Sequence, residues 1–520
     1  MVSARLLRAD NLVKMHGQPL PYCRLIVFLL LASTTNASAE PWLAPGDVRL
    51  RSDIQLLSDA GVIDVPVTTW PLVWADIAMG VDRLADSSEL DTFEAAALLR
   101  VRSRLQRERR SNELAFRAHT AVSEDPRRLR TFENSAREKK ELQSSVAWMG
   151  NRFAVKLQGQ IVEDDDGNTD TRNDGTYAGA VVGNTMLSVG WMDRWWGPGW
   201  EGSLAYSNNA RPVPTIALER RLSTPFKTKW LSWIGAWRAI VSYGKLEHDR
   251  VVSDANLLGF RFVTRPFDDL EFAITRTAQW CGDGRPCDAD SLWQVIKGKS
   301  NLGDEGVSRN DEPGNQLAGF DLRWNSPIYD APYAFYMQGY AEDELDSRPS
   351  EWMILYGLEG WGDLHWADFA YRWHFEATNT AVATRMKNAS RWVSQRYNIA
   401  YNNSFYPTGY RFRGDAIGHA MDGDGKMFSF GLLLVEPDGD NWDILLRAVE
   451  INRNGDPEPA HSISPTPQDI WNAEISRSTD TRFGQFRLRA GYQWRDDDAS
   501  GDSDTDFDVE LQWQFDFGFE

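Results

Sequence analysis

The stretch Phe507-Asp-Val-Glu-Leu-Gln-Trp-Gln-Phe-Asp-Phe-Gly-Phe519 sets an apolar side chain at every odd position, with Asp508, Glu510, Gln512, Gln514, Asp516 and Gly518 between them. Successive side chains of a strand point to opposite faces, so this period of two sorts the residues into one apolar and one polar face. The segment before it repeats the pattern: Phe486, Leu488, Ala490, Tyr492 and Trp494 alternate with Gln485, Arg487, Arg489, Gln493 and Arg495. Further back, Ala318, Phe320, Leu322 and Trp324 stand against Asp321 and Arg323. Ala367, Phe369, Tyr371, Trp373 and Phe375 stand against Asp368, Arg372, His374 and Glu376. A soluble β-sandwich also alternates. Here the polar face carries charges of both signs and the apolar face is rich in Trp and Phe, which is the signature of an antiparallel transmembrane β-barrel.

Composition agrees. The 520 residues hold 23 Trp, 15 Tyr and 24 Phe, yet mean hydropathy is only −0.47 and the formal net charge is −19. The one dense apolar run, Leu25 to Ala32, is too short for a spanning helix. An acidic chain repels phosphate, which excludes nucleic acid as a partner. Arg5, Arg8, Lys14 and Arg24 precede the apolar run and Ala37-Ser-Ala39 follows it, the pattern of a secretory signal peptide over residues 1–39, cleaved after Ala39. Starts at Met1 and Met15 both remain open. Cys23 precedes the run, so it is not a lipid-modified cysteine. Cys281 and Cys287 remain, and an exported chain favours a disulfide between them; structural zinc would need four ligands.

Between residues 47 and 110 the period is helical. Leu50, Ile54 and Leu57 form one stripe; Trp74, Ile77, Val81 and Leu84 form a second; Leu98, Val101 and Leu105 form a third, after Asp91 as N-cap with Glu94 three residues on. The expected organisation is a signal peptide at 1–39, a helical bundle or plug at 40–112, and a barrel at 113–520. At about 22–25 residues per strand and connection, the barrel has about sixteen to eighteen strands. Such a width demands a water-filled or plugged lumen. Connections at 436–440 and 478–482 read as short and those at 455–468 and 496–506 as long, so the short turns and the plug are expected on the periplasmic side. The arginines from Arg100 to Arg110 read as a solvated face, or as a contact to an anionic polymer or lipid.

Several separated blocks resemble the Wzi family of capsule-assembly outer-membrane proteins. They are Arg51-Ser-Asp-Ile-Gln-Leu-Leu-Ser-Asp-Ala-Gly-Val-Ile63 with Thr69-Trp-Pro-Leu72; Asp193-Arg-Trp-Trp-Gly-Pro-Gly-Trp200 with Ser207-Asn-Asn-Ala-Arg-Pro212 and Arg220-Arg221; Gly319-Phe-Asp-Leu-Arg-Trp324; Glu342-Asp-Glu344; and Gly418-His-Ala-Met-Asp-Gly-Asp-Gly425. The resemblance implies a monomeric barrel closed by a periplasmic helical bundle. Its implied role is lectin-like: binding capsular polysaccharide or another exopolysaccharide at the Gram-negative cell surface, among outer-membrane lipids and lipopolysaccharide, with no cofactor and no catalysis. A porin-like channel and an outer-membrane lipid- or glycan-modifying enzyme are the alternatives.

The candidate sugar-binding residues are Trp195, Trp196, Trp200 and Arg211, because aromatic faces stack on pyranose rings and Arg supplies charge-assisted hydrogen bonds. The same three Trp also fit a membrane-interface girdle or plug packing. Arg211, Arg220 and Arg221 fit an acidic polymer or lumen carboxylates equally. Asp164, Asp166, Asn168 and Asp170 alternate as oxygen ligands for Ca²⁺, but the glycine is misplaced for an EF-hand, and a polar hairpin loop fits them better. Met421-Asp-Gly-Asp-Gly425 reads as the same kind of hairpin. No H-E-x-x-H or G-x-S-x-G motif is present. His374, beside Arg372 and Glu376, is the one nameable catalytic candidate, and it reads first as part of a lumen hydrogen-bond network.

Overall fold

A computed structural model describes residues 40–84, 90–298, 314–326, 328, 331–342, 351–385, 392–497 and 499–519. The signal peptide expected at 1–39 lies outside the described residues, as do Asp343 and Glu344.

The alternation closes into a cylinder. Asp502–Phe519 pairs antiparallel with Leu114–Ser123, Phe519 opposite Leu114, so the last strand meets the first and no sheet edge is left open. The described barrel segments make eighteen strands, two of them interrupted. Thr169–Arg172 and Tyr177–Val182 share the neighbour Phe153–Glu163, while Trp392–Arg396 and Lys426–Val435 share Phe369–Arg385. Leu488, Tyr492, Phe507 and Leu511 are exposed on the outside, whereas Arg489 and Glu510 between them are buried in the lumen. No described helix is long and apolar enough to cross a membrane; the strands do it.

Both barrel termini lie at the end that carries most of the tight turns, such as 183–184, 268–269 and 482–483. The other end carries the long connections at 124–139, 192–213, 397–425 and 452–467. The connection expected to be long at 496–506 is short. Strands Gly484–Asp497 and Asp502–Phe519 run on through it, with Asp497 opposite Asp502, because a strand that extends past the bilayer can carry carboxylates into water. Likewise Gln468–Thr481 runs through most of 478–482, leaving Arg482 and Phe483 as the turn, and Ala367 and Asp368 form a turn before strand Phe369–Arg385.

Three helices, α1 (Val48–Asp59), α2 (Trp74–Val81) and α3 (Thr92–Glu108), enter from the tight-turn end. The Asp47 side chain accepts from the Leu50 amide at 2.9 Å, and the Asp91 amide donates to Glu94 Oε2 at 3.1 Å, so α1 and α3 start where their caps stand. Leu50, Ile54, Leu57, Ile77, Val81, Leu98, Val101 and Leu105 meet in one apolar core that also takes in Trp70, Trp195 and the barrel residues Ala334 and Trp361. The arginine run of α3 is largely spent internally: Arg100 pairs with Asp53 at 2.7 Å, Arg104 with Glu108 at 2.9 Å and Arg109 with Asp82 at 2.6 Å. From the opposite end, connections 192–213 and 397–425 fold inward and build a second core around Trp196, Tyr206, Tyr401 and Tyr410. One further helix, α4 (Ala289–Lys297), sits in the connection after Trp280.

Candidate functional site: the seam between plug and barrel

The Asp193–Trp200 block reaches down to the plug. Trp195 and Trp196 pair as a short ribbon with Trp70 and Thr69 of the chain between α1 and α2. Gly197 then takes φ of +149°, a region that favours glycine, and its missing side chain leaves room for Gln338. Gln338 donates through Nε2 to the Trp196 carbonyl at 3.0 Å and accepts from the Leu204 amide at 3.2 Å.

Arg51 of α1 donates to the carbonyls of Pro198 at 2.6 Å and Gly199 at 2.9 Å. Its guanidinium lies between the rings of Phe132 and Trp200, at 4.4 and 4.0 Å from their centroids. The Trp200 indole N–H donates to Glu359 Oε2 at 2.9 Å, and its amide donates to Glu376. Glu359 also accepts from Arg323 Nε at 2.6 Å and Arg372 Nη1 at 3.2 Å. Arg323 in turn makes a two-pronged pair with Asp59 at the end of α1, at 2.6 and 2.8 Å.

The same joining of lumen side chain to plug recurs around the wall. Glu271 accepts from the amides of Val67 and Thr68, both at 2.9 Å. Arg238 donates to the Thr69 and Pro71 carbonyls at 3.1 and 2.8 Å, and Arg265 to the Ser58 and Ile63 carbonyls at 2.9 and 3.0 Å. Arg261, paired with Asp321, reaches Thr69 Oγ1 at 2.7 Å. Lumen charges therefore satisfy backbone that the plug could not pair by itself, which fixes the plug's position and fills the pore at its centre.

This geometry places each candidate residue. Trp195, Trp196 and Trp200 are 0, 0 and 4% exposed. Trp195 and Trp200 pack against the plug and Trp196 against Tyr206 in the second core, and at this burial neither a sugar face nor a membrane-interface girdle describes them. Arg211 makes a two-pronged pair with Asp174 at 2.7 and 3.0 Å. Arg220 lies over the Trp237 ring at 3.7 Å and donates to that residue's carbonyl. Asp164 accepts from the amides of Asp166 and Asn168 at 3.0 and 2.8 Å, which makes an exposed turn; hydrogen bonds within the turn hold its carboxyl below the usual carboxylate range. Asp170 accepts from the Thr171 amide at 2.7 Å. Among the described residues no group of three His, Cys, Asp or Glu side chains is arranged to hold a metal. Cys281 and Cys287 are joined as a disulfide.

Met421 to Gly425 is not the exposed hairpin its Gly-Asp pattern suggests. Asp422 is fully buried and makes a two-pronged pair with Arg411 at 2.7 Å on both arms, so a structural ion pair pulls this polar segment inside. Next to it, burial pushes the His419 imidazole down to about 4, so this ring is neutral. His374 stacks flat on Trp200, with centroids 5.5 Å apart, and faces Glu201 at 3.1 Å. Both are sealed from solvent, which fits a packing network and leaves no room for a substrate. Among the residues that carry the seam, Arg51, Asp59 and Arg323 stand inside the quoted blocks with no role of their own and Glu359 stands outside them, because the partners of all four are far away in the chain.

A closed antiparallel barrel with an apolar exterior and a lumen filled from both ends defines an outer-membrane barrel that is shut along its axis. The chain belongs to the Wzi family: residues 109–502 match the family described as capsule assembly protein Wzi. It is 32% identical over 434 residues, 82% of this chain and 81% of the relative, to an uncharacterized 55.8 kDa protein in the cps region of Klebsiella pneumoniae. Its fold is similar, at a TM-score of 0.76 and 28% identity over 91% of this chain and 99% of the other, to Wzi of Escherichia coli. That protein is described as an outer membrane protein involved in group 1 capsule assembly and a carbohydrate-binding β-barrel. Neither description names a catalytic activity.

Proposed function

We propose that this protein is a lectin-like outer-membrane protein that binds capsular or another surface polysaccharide and anchors it at the cell surface. The observation that carries this reading is the match, over nearly the whole of both chains, to a solved barrel described as carbohydrate-binding. The closed seam supports it against the channel alternative, since a lumen crossed by Arg51, Arg323 and Glu359 is built to hold a plug in place. In this reading the chain is a monomer, exported by a leader at 1–39 cleaved after Ala39. The plug and the tight turns face the periplasm, and the long connections face outward among lipopolysaccharide.

The glycan-facing surface then belongs to the long connections, where Trp293 of α4 is 55% exposed, and the buried Trp195, Trp196 and Trp200 act by holding that surface still. The test is adsorption of the host's extracted surface polysaccharides to the detergent-solubilised protein. Saturable binding by at least one fraction is the expected result, and absence of binding by every fraction overturns the reading.

A further inference from the structure

The lumen is not filled everywhere. Beside the plug, against strands Leu114–Ser123, Lys140–Met149, Phe153–Glu163, Gly484–Asp497 and Asp502–Phe519, a cavity of about 670 Å³ remains. Asp480, Thr481 and Arg482 form an exposed mouth at the tight-turn end, while the buried Arg130, Glu133 and Asn208 close the far end.

The wall has an order that neither the sequence nor the cavity alone displays. Gln485 stands opposite Gln514, Gln514 opposite His119, His119 opposite Gln143, and Gln143 opposite Gln160, as register partners on five successive strands. All five line the cavity. Side chains in such a row repeat at the inter-strand spacing of about 4.8 Å, close to the rise of one pyranose ring along an extended glycan.

The lining charges cancel. Nine Lys and Arg face nine Asp and Glu, and the principal pairs are closed: Arg117 with Asp516 at 2.6 Å, Lys156 with Glu40 at 3.0 Å and Arg49 with Asp480 at 2.9 Å. The row's own capacity is partly unspent. Gln160 donates to Gln143 Oε1 at 2.9 Å, which leaves Gln143 Nε2 and Gln160 Oε1 free among the described residues. The Gln485 amide has no partner there, and His119, only 7% exposed, keeps an unpartnered Nδ1. Such a row of carboxamides and one imidazole offers donors, as at Gln143 Nε2, and acceptors, as at Gln160 Oε1 and at His119 Nδ1, whose Nε2 faces Gln512 Oε1 at 3.4 Å, without demanding a charge, which is how hydroxyl-rich ligands are recognised.

We propose that this row is a saccharide-binding site, reached from the tight-turn end, that takes a short run of uncharged or charge-balanced sugar rings laid across the five strands. It deepens the reading of the protein as a glycan binder and locates a site separate from the surface built by the long connections.

The experiment uses the full mature chain in detergent and, as probe, oligosaccharides of about three to six rings cut from the host's own surface polysaccharide. Calorimetric titration is set beside adsorption of the uncut polymer to whole cells. Gln143→Trp and Gln160→Trp fill the cavity, and Gln485→Ala removes one amide gently. Expected is oligosaccharide binding by the parent, abolished by either Trp variant and weakened about tenfold by Gln485→Ala, while polymer adsorption to cells persists in all. Equal oligosaccharide binding by parent and Trp variants overturns the site and leaves the surface reading standing. So does polymer adsorption with no oligosaccharide binding at all, which makes the cavity a water-filled space. Failure of every glycan in both assays overturns both.

Discussion

The guanidinium of Arg51 lies 4.0 Å from the centre of the Trp200 ring, sandwiched against Phe132 and bonded to the carbonyls of Pro198 and Gly199. One side chain of the first plug helix thus reads the whole turn of the Asp193–Trp200 block. Arg51→Ala forfeits two charge-assisted hydrogen bonds and the ring contact, and is expected to destabilise the folded chain by about 2–4 kcal/mol. Urea unfolding followed by Trp fluorescence measures it; a loss below about 0.5 kcal/mol would show that the contact is incidental.

The Arg323 bridge between Asp59 and Glu359 ties the end of α1 to the barrel wall. Arg323→Ala leaves two buried carboxylates short of a partner, which weakens the plug's hold without removing the plug. In planar bilayers the parent is expected to conduct little and the variant to show brief openings. Deletion of residues 48–108 is expected to give a steady current larger than either. A parent that conducts as well as the deletion would mean that the plug does not seal the pore.

Gly197 is constrained for two reasons at once. Its φ of +149° strains any side-chain-bearing residue, and an added methyl group would collide with the Gln338 amide. Gly197→Ala is therefore expected to cost about 2–4 kcal/mol and to lower the yield of heat-modifiable, folded barrel on unboiled gels. Normal yield together with a parent-like unfolding midpoint would contradict this.

Asp424, outside the strands, carries a pH dependence. Burial, with the Asp456 carboxyl beside it, pushes Asp424 up to about 7 from an ordinary 3.8. Between those two values the folded chain holds a proton that the unfolded chain has released, so this group's contribution to stability is full at the acid end and is lost as pH rises toward and past 7. Asp424→Asn removes the dependence. The variant's melting temperature is expected to change less than the parent's between about pH 5 and pH 8, and to equal or exceed it at pH 8. Parallel pH profiles for the two proteins would refute the assignment.

Local rules accounted for what is local. The helical stripes at Leu50, Ile54 and Leu57 and at Leu98, Val101 and Leu105, with the Asp91–Glu94 cap, were legible because a helix is specified within a few turns. The outward Leu488 and Tyr492 against the inward Arg489 were legible because a strand's period is two. Charge is a poor marker of loops in this chain. Asp496, Asp497, Asp502, Asp504 and Asp506 ride on paired strands, and Asp422 is drawn inside by Arg411.

Alternation, aromatic content and the separated family blocks, all present in the chain as written, were enough for an outer-membrane barrel of the Wzi family. They could not say which of two polar or aromatic surfaces faces solvent. Arg51 and Gly199 stand 148 positions apart, and Arg323 and Asp59 stand 264 apart. Gln485 and Gln160 join one row only because the barrel closes between Phe519 and Leu114. Periodicity is set by neighbouring backbone sterics and so is written locally. Burial and pairing depend on which distant surfaces meet, and that is settled when the strands close around the plug.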